Sequence, residues 1–293
     1  MALKTFIKQV FHYYLLPTFF VIILYSCKQE NITLGNTVTL DCIQKIGDGN
    51  VPDELYQLGE ITPIDSYSFF TKTINVCGIT LIAGDDISNQ FMENVAMMIK
   101  DMFVINENTD TLLQQILLTN LYKYKTFIPL FYGEKESLNR DNVMEELDNI
   151  NSVCDIIMED VPDQVMEVVE HVLHHLTDIG LHHTLQKKWG LSSSSTLFDV
   201  TQRAIFSGYY DISQYTDISD LGVRNRVILQ EYAYWIIYTS WDLRHHYGPS
   251  HSEWSIFTAN ELHSKLPESY VLYQETIPSV LTCPSKETLG LFF

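Results

Sequence analysis

Basic residues are scarce. The 293-residue chain holds 18 Lys and Arg against 37 Asp and Glu, a formal charge of -19 at pH 7. Nucleic-acid binding draws its affinity from cations that displace phosphate counterions, so this balance excludes a nucleic-acid partner. It also argues against a polybasic membrane-surface protein. No G-x-S-x-G occurs and no Cys lies beside a His, which weakens any nucleophile mechanism. H-E-x-x-H is absent as well. No internal repeat and no long linker interrupts the chain, and the composition, 46% hydrophobic and 12% aromatic, is that of a folded protein and not of a disordered one.

The apolar run Tyr13 to Tyr25 is too short to span a bilayer comfortably, and Lys4 and Lys8 precede it without an acid. This is the tripartite form of a secretory signal peptide over residues 1–26. Two processing outcomes fit: cleavage after Ser26, or lipidation of Cys27, with Leu24 and Ser26 at the -3 and -1 positions of a lipobox. Membrane contact is expected only through this segment or a lipid anchor, and the expected location is secreted or extracytoplasmic. Removing residues 1–26 takes away two Lys and no acid, so the charge becomes -21. In an oxidising compartment Cys42, Cys77, Cys154 and Cys283 allow two disulfides among three pairings. Cys77 and Cys154 also lie in apolar runs that suit buried thiols. Asn31-Ile32-Thr33 is a glycosylation sequon.

Residues 27–73 read as a polar extension and residues 74–293 as a single α+β domain, a small sheet with helices in the first half and helices alone in the second. The β-branched run Ile74 to Ile82 predicts a strand. Asp85-Asp86 predicts the cap of a helix carrying Ile87, Phe91, Val95, Met98 and Met102 at helical spacing. A helix over Thr109 to Lys123 and strands at Phe127 to Tyr132 and Val153 to Met158 follow. Beyond Pro162 the pattern predicts helices to about His183, over Leu197 to Ile205, over Val223 to His246 and around Trp254 to His263. Residues 134–170 hold twelve acids and two bases, read as a solvated face or as a cation-attracting approach to a site.

Five of the ten histidines fall between His171 and His183. On an α-helical projection Glu167, His171, His174, His175, Asp178 and His182 share one arc, opposite Val165, Val168, Val172, Leu176 and Ile179. His171 and His175 are four apart, the spacing at which two imidazoles on adjacent turns hold one Zn²⁺; Glu170 with His174 has the same spacing. Glu231 lies in Val227 to Tyr238, a stretch so apolar that its carboxylate must be paired, neutralised or bound to metal. Its alternatives are ion pairs with Arg203, Arg224 or Arg226. The candidate metal ligands are therefore His171, His174, His175 and Glu231, with Glu170 as catalytic base or, in place of His171, as the ligand beside His174, Asp178 orienting His174, and Tyr234 and Tyr238 on the face of Glu231. The cofactor expected is zinc, by analogy with metallopeptidases that combine a His-bearing helix with a later Glu.

Glu170-His171-Val172-Leu173-His174-His175-Leu176-Thr177-Asp178-Ile179-Gly180 resembles the E-E-x-L-H-x-x-T-D-x-G helix of a group of uncharacterised secreted, metallopeptidase-like proteins, with His171 in place of the second Glu. Glu231-Tyr232-Ala233-Tyr234-Trp235 resembles their E-Y-x-Y-W helix. The resemblance covers roughly residues 74–260 and implies a metallopeptidase-like fold with Glu170, His174, Asp178 and Glu231 at the matched polar positions. The function expected is a zinc-dependent hydrolase acting on a protein or peptide; the alternative is a non-catalytic secreted or lipid-anchored binding or structural protein that keeps a degenerate metallopeptidase fold.

Overall fold

The Cys77-Gly78 pair turns the chain back on itself where the β-branched run predicts one continuous strand. Both residues have positive φ, 50° and 76°, as a two-residue hairpin turn of the primed type requires. Leu118 O lies 2.6 Å from where a Cβ on Gly78 would stand, so glycine is required there on two counts. The result is two antiparallel strands, β2 (Lys72–Val76) and β3 (Ile79–Ala83), joined to β1 (Thr62–Pro63), β4 (Thr126–Tyr132) and β5 (Ile157–Glu159) in the spatial order β1-β2-β3-β4-β5. β1, β2 and β3 run antiparallel, while β3, β4 and β5 are parallel. The computed structural model describes residues 33–44, 50–133, 140–249 and 252–293, the side chains of 140–142 excepted. The signal segment, Cys27 and Asn31 of the sequon lie outside the described residues.

The parallel pairing of β3 with β4 requires a crossover, supplied by α1 (Asn89–Met102) and α2 (Thr111–Lys123). Ser88, rather than Asp85 or Asp86, caps α1 by accepting from Phe91 N at 3.0 Å, and Asp85 instead accepts from Thr71 Oγ1 at 2.6 Å. Asp110 caps α2 through Leu113 N. One face of the sheet joins the main core with Val95, Met98, Ile99 and Met102 of α1, Leu117 and Leu121 of α2, and the apolar side of α4 (Gln164–His175). The other face carries a smaller aromatic cluster of Phe70, Phe131 and Leu147, the last on α3 (Arg140–Asp148). α3 is an element the acidic composition of that stretch concealed.

The segment before residue 74 is no detached extension. Leu34, Ile43 and Leu55 are buried in the main core, β1 and the start of β2 belong to it, and Cys42 is bonded to Cys154. The fold is mixed α/β. Its helical second half centres on Leu221–Ser240, capped by Asp220 through Gly222 N and Val223 N. That helix stops at Ser240 because Asp242 turns left-handed, φ 58°, and a separate short helix, Leu243–Tyr247, follows. Helices Ala259–Lys265 and Pro267–Thr276 close the body. Among the described residues no helix is long and apolar enough to cross a membrane.

Candidate metal centre

α4 does not end as an α-helix. After His175 the backbone widens into a π-helix over Leu176–Leu181 before one last α-turn, His182–Thr184. Gly180 in this segment sits against α2, with Leu117 Cδ2 3.1 Å from where a Cβ would stand. The i→i+5 spacing of a π-turn changes the angle per residue, so the α-helical projection fails beyond Leu176. Asp178 leaves the histidine arc as a result. Nor does that arc face solvent: His174, His175 and Asp178 are completely buried.

His174 is the centre of the arrangement. Its Nδ1 lies 2.7 Å from Asp155 Oδ2, a hydrogen bond the ring donates to the carboxylate, which leaves Nε2 to face Glu231. Nε2 is buried and has no hydrogen-bond partner. It stands 3.5 Å from Glu231 Oε2, within ion-pair reach but outside hydrogen-bond geometry. Glu170, one turn earlier on α4, completes a group: Glu170, His174 and Glu231 each offer a ligand atom, all within 4.8 Å of one another. None of the expected arginines neutralises Glu231. Arg226 pairs with Asp41 and Asp178, Arg203 pairs with Glu268, and Arg224 donates to the carbonyls of Thr216 and Ile218.

The electrostatics agree with this geometry. Burial, and then the charge of Glu231, push the Glu170 carboxyl up to about 8. Burial would lower His174, but Glu231 and the hydrogen bond to Asp155 outweigh it and hold the ring well above its ordinary value. Burial likewise opposes protonation of His171, yet Asp155 and Glu167 raise it to about 9. Asp155 is held well below the usual carboxylate range, its burial overcome by His171 and by the hydrogen bond from His174. Without a metal the cluster therefore retains protons on Glu170 and both imidazoles, the positive charge beside Glu231 and Asp155 that a bound cation would replace.

A second possible ligand set, Asp155, His171 and His174, shares His174. Two ligands of one tetrahedral Zn²⁺ stand about 3.3 Å apart, whereas His174 Nδ1 and Asp155 Oδ2 are at hydrogen-bond distance, 2.7 Å. Asp155 is thus the group that orients His174, a role the sequence pattern assigned to Asp178. Asp178 instead faces Arg226 Nη1 at 3.3 Å; burial, opposed by that guanidinium, sets its carboxyl at about 6.

The α4 residues that share a candidate group with Glu231 are Glu170 and His174, one residue out of register from His171 and His175. His175 has no free nitrogen. Its Nδ1 donates to His171 O at 2.8 Å and its Nε2 accepts from Cys154 N at 3.2 Å, and burial lowers it to about 4. His171 lies between two carboxylates, Nε2 3.8 Å from Asp155 and Nδ1 3.2 Å from Glu167. Glu170, expected as the base, belongs to the ligand group. Tyr234 does approach the site, its ring edge-on to His174 at 5.8 Å, and Tyr238 packs on Tyr234. Both hydroxyls are buried without a hydrogen-bond partner. His183 stacks on Tyr124 and His182 accepts from Leu191 N, so neither joins the cluster.

Among the described residues one disulfide forms, Cys42–Cys154. Cys77 and Cys283 are free thiols, and burial pushes Cys77 up to about 12. Several acids of the 134–170 run are structural: Glu146 accepts from Ser68, Glu159 from Ser88 and Glu167 from Met158 N. Asp155 itself was hidden inside a stretch with strand-like composition, although its one signal, an acid directly after a cysteine in an apolar segment, was present. The chain matches no family model, no curated protein sequence and no solved structure.

Proposed function

We propose that the chain is an exported, divalent-metal-dependent hydrolase with peptidase-like chemistry, its cation held by Glu170, His174 and Glu231. The observation that carries this reading is the Nε2 atom of His174, wholly buried, without a hydrogen-bond partner and turned toward Glu231 while Nδ1 is tied to Asp155. An orphaned buried ring nitrogen costs stability unless something binds it. One imidazole and two carboxylates suit zinc. Zinc held by three protein ligands supplies Lewis acidity toward a carbonyl oxygen and lowers the pKa of water.

The remaining residues have roles that follow from their positions. Glu231 retains a side-chain exposure of 17%, so the ligand group has an edge that a substrate can reach. Tyr234 and Tyr238 bring two hydroxyl donors without partners, suited to an oxygen that gains negative charge. Glu170-His171-x-x-His174 has the frame of H-E-x-x-H with the first ligand and its neighbour exchanged, so the gluzincin analogy and the metallopeptidase-like fold belong to this proposal. Export is supported by the signal-like segment and by the Cys42–Cys154 disulfide.

A non-catalytic metal-binding protein is the second reading, favoured by one observation. His171 occupies the place of the base, yet it sits protonated between Asp155 and Glu167 and is a donor rather than an acceptor. Elemental analysis of the purified protein separates these readings when combined with a fluorogenic peptide panel. The proposal expects close to one equivalent of zinc and chelator-sensitive cleavage. Zinc without cleavage leaves the non-catalytic reading, and less than about a tenth of an equivalent rejects the site.

A further inference from the structure

Asp155 reaches His174 from a loop, and the residue before it is half of the disulfide. The loop lies between α3 and β5, Cys154 is bonded to Cys42, and Asp155 Oδ2 lies 2.7 Å from His174 Nδ1. The residues around the bond are organised on both sides of it. Cys154 N donates to His175 Nε2 and Cys154 O accepts from Gln230 Nε2, at 3.2 Å each. On the other side Asp41, next to Cys42, accepts from Arg226 Nε at 2.7 Å, and Arg226 also reaches Gln230 Oε1 at 2.9 Å and Asp178. The bond thereby joins the amino-terminal segment to both helices that carry the ligand group.

We propose that Asp155 is the positioning residue of the metal site and that the Cys42–Cys154 disulfide is its tether, so that the redox state of this bond sets the affinity of Glu170, His174 and Glu231 for a divalent cation. This rests on the metal reading above. Breaking the bond with a dithiol balances simply: the S–S bond takes up two electrons and two protons to give two thiols, and the dithiol closes to its own disulfide. Cys42 is only partly buried, so the bond has an approachable edge.

Two unbonded sulfurs cannot remain at disulfide distance, so reduction moves the Cys42 and Cys154 sulfurs apart, and on this proposal Asp155 shifts with its neighbour. A hydrogen bond of 2.7 Å tolerates only a few tenths of an ångström before it weakens, and the other contacts of Asp155 are long or local: Oδ2 lies 3.8 Å from His171 Nε2, N lies 3.4 Å from His175 Nε2, and Oδ1 accepts from the adjacent Ile156 N. The backbone bond from Val153 N to Cys42 O and the bond from Gln44 N to Ser152 Oγ, 3.1 and 2.8 Å, hold the segment before the cysteine and do not reach Asp155 itself. Loss of a carboxylate behind a ligating imidazole lowers metal affinity about 10- to 100-fold.

The test is a competitive zinc titration of the full mature chain, oxidised and after treatment with a dithiol reductant, on wild type and on Asp155→Asn. The expected result is a loss of about tenfold or more in wild-type affinity on reduction, a similar loss in oxidised Asp155→Asn, and less than about a twofold further change when that variant is reduced. Unchanged wild-type affinity on reduction overturns the proposal. So does an equal reduction effect in Asp155→Asn and wild type, because the disulfide would then act by another route. ¹⁵N spectra of the metal-free imidazoles give a readout that does not depend on zinc. The proposal expects the His174 Nδ1–H signature of a carboxylate hydrogen bond in the oxidised chain and its loss on reduction; its persistence overturns the tether. Zinc binding in neither state, with that spectral change present, rejects the metal reading and the affinity claim while the tether stands.

Discussion

His174 Nε2 stands 3.5 Å from Glu231 Oε2 across two packed helices, and neither atom has a better partner within the described residues. The first residue is the last but one of α4, just before the π-turn, and the second is the one carboxylate in the middle of a helix that is buried almost throughout. Two helices have brought together the groups that a dry interior otherwise excludes, and a cation satisfies both.

Glu231→Gln keeps the shape of the side chain and removes its charge. We expect bound zinc in the purified variant to fall below about a tenth of an equivalent, and the metal-free protein to melt lower at neutral pH, because buried, protonated His174 loses the charge that stabilises it. Elemental analysis and thermal denaturation in a chelator check both halves.

Tyr234→Phe removes a buried hydroxyl without a partner. Stability is expected to stay level or rise slightly, since an unsatisfied buried group is lost. Zinc content should not change, while chelator-sensitive peptide cleavage falls about 100-fold, the typical cost of one donor to a developing oxyanion. Steady-state kinetics alongside metal analysis distinguish this from loss of the site.

Arg226→Met strands Asp178, which is fully buried and faces Arg226 Nη1 at 3.3 Å. Breaking a buried pair from one side costs about 3 to 5 kcal/mol. The double variant Arg226→Met, Asp178→Leu is expected to recover most of that loss, because the charge that was left behind is removed. Denaturant titrations of the three proteins measure it.

Asp148 carries an oxygen with no hydrogen-bond partner, and burial raises its carboxyl to about 6. A carboxyl raised in the folded state binds its proton more tightly there than in the unfolded chain. Its contribution to stability is therefore full below pH 3.8 and is lost as pH rises through about 6. Asp148→Asn should match wild type near pH 4 and exceed it above pH 7 by about 1 kcal/mol, a figure reduced for the partial exposure of the group. Melting curves over that range give the sign directly.

Much of the fold was readable from periodicity. The Met and Ile stripe of α1, the β-branched run at residues 74–82 and the apolar stretch around Glu231 all occupy the core, as their patterns predict. What periodicity could not supply was the backbone where it departs from regular geometry. The Cys77-Gly78 hairpin turn split one predicted strand in two, and left-handed Asp242 divided one predicted helix. The π-turn after His175 had the largest consequence, since every projection drawn through Asp178 and His182 assumed 3.6 residues per turn. Candidate residues were legible by type and not by register: the structure brings His174 and Glu231 together with Glu170, puts His171 in a second group with Asp155 and His174, and leaves His175 outside both. Asp155 was reachable only through the disulfide, a contact 112 residues apart in sequence.

The central claim is that Glu170, His174 and Glu231 hold one cation. Anomalous diffraction at the zinc absorption edge, from crystals of the mature chain grown with zinc, tests it most directly. The account predicts a single strong peak about 2.0 to 2.1 Å from His174 Nε2, the usual zinc–imidazole distance, with both glutamate carboxylates against it. No peak among these three residues in zinc-saturated crystals, with His174 Nε2 instead bonded to Glu231 or to water, would contradict it.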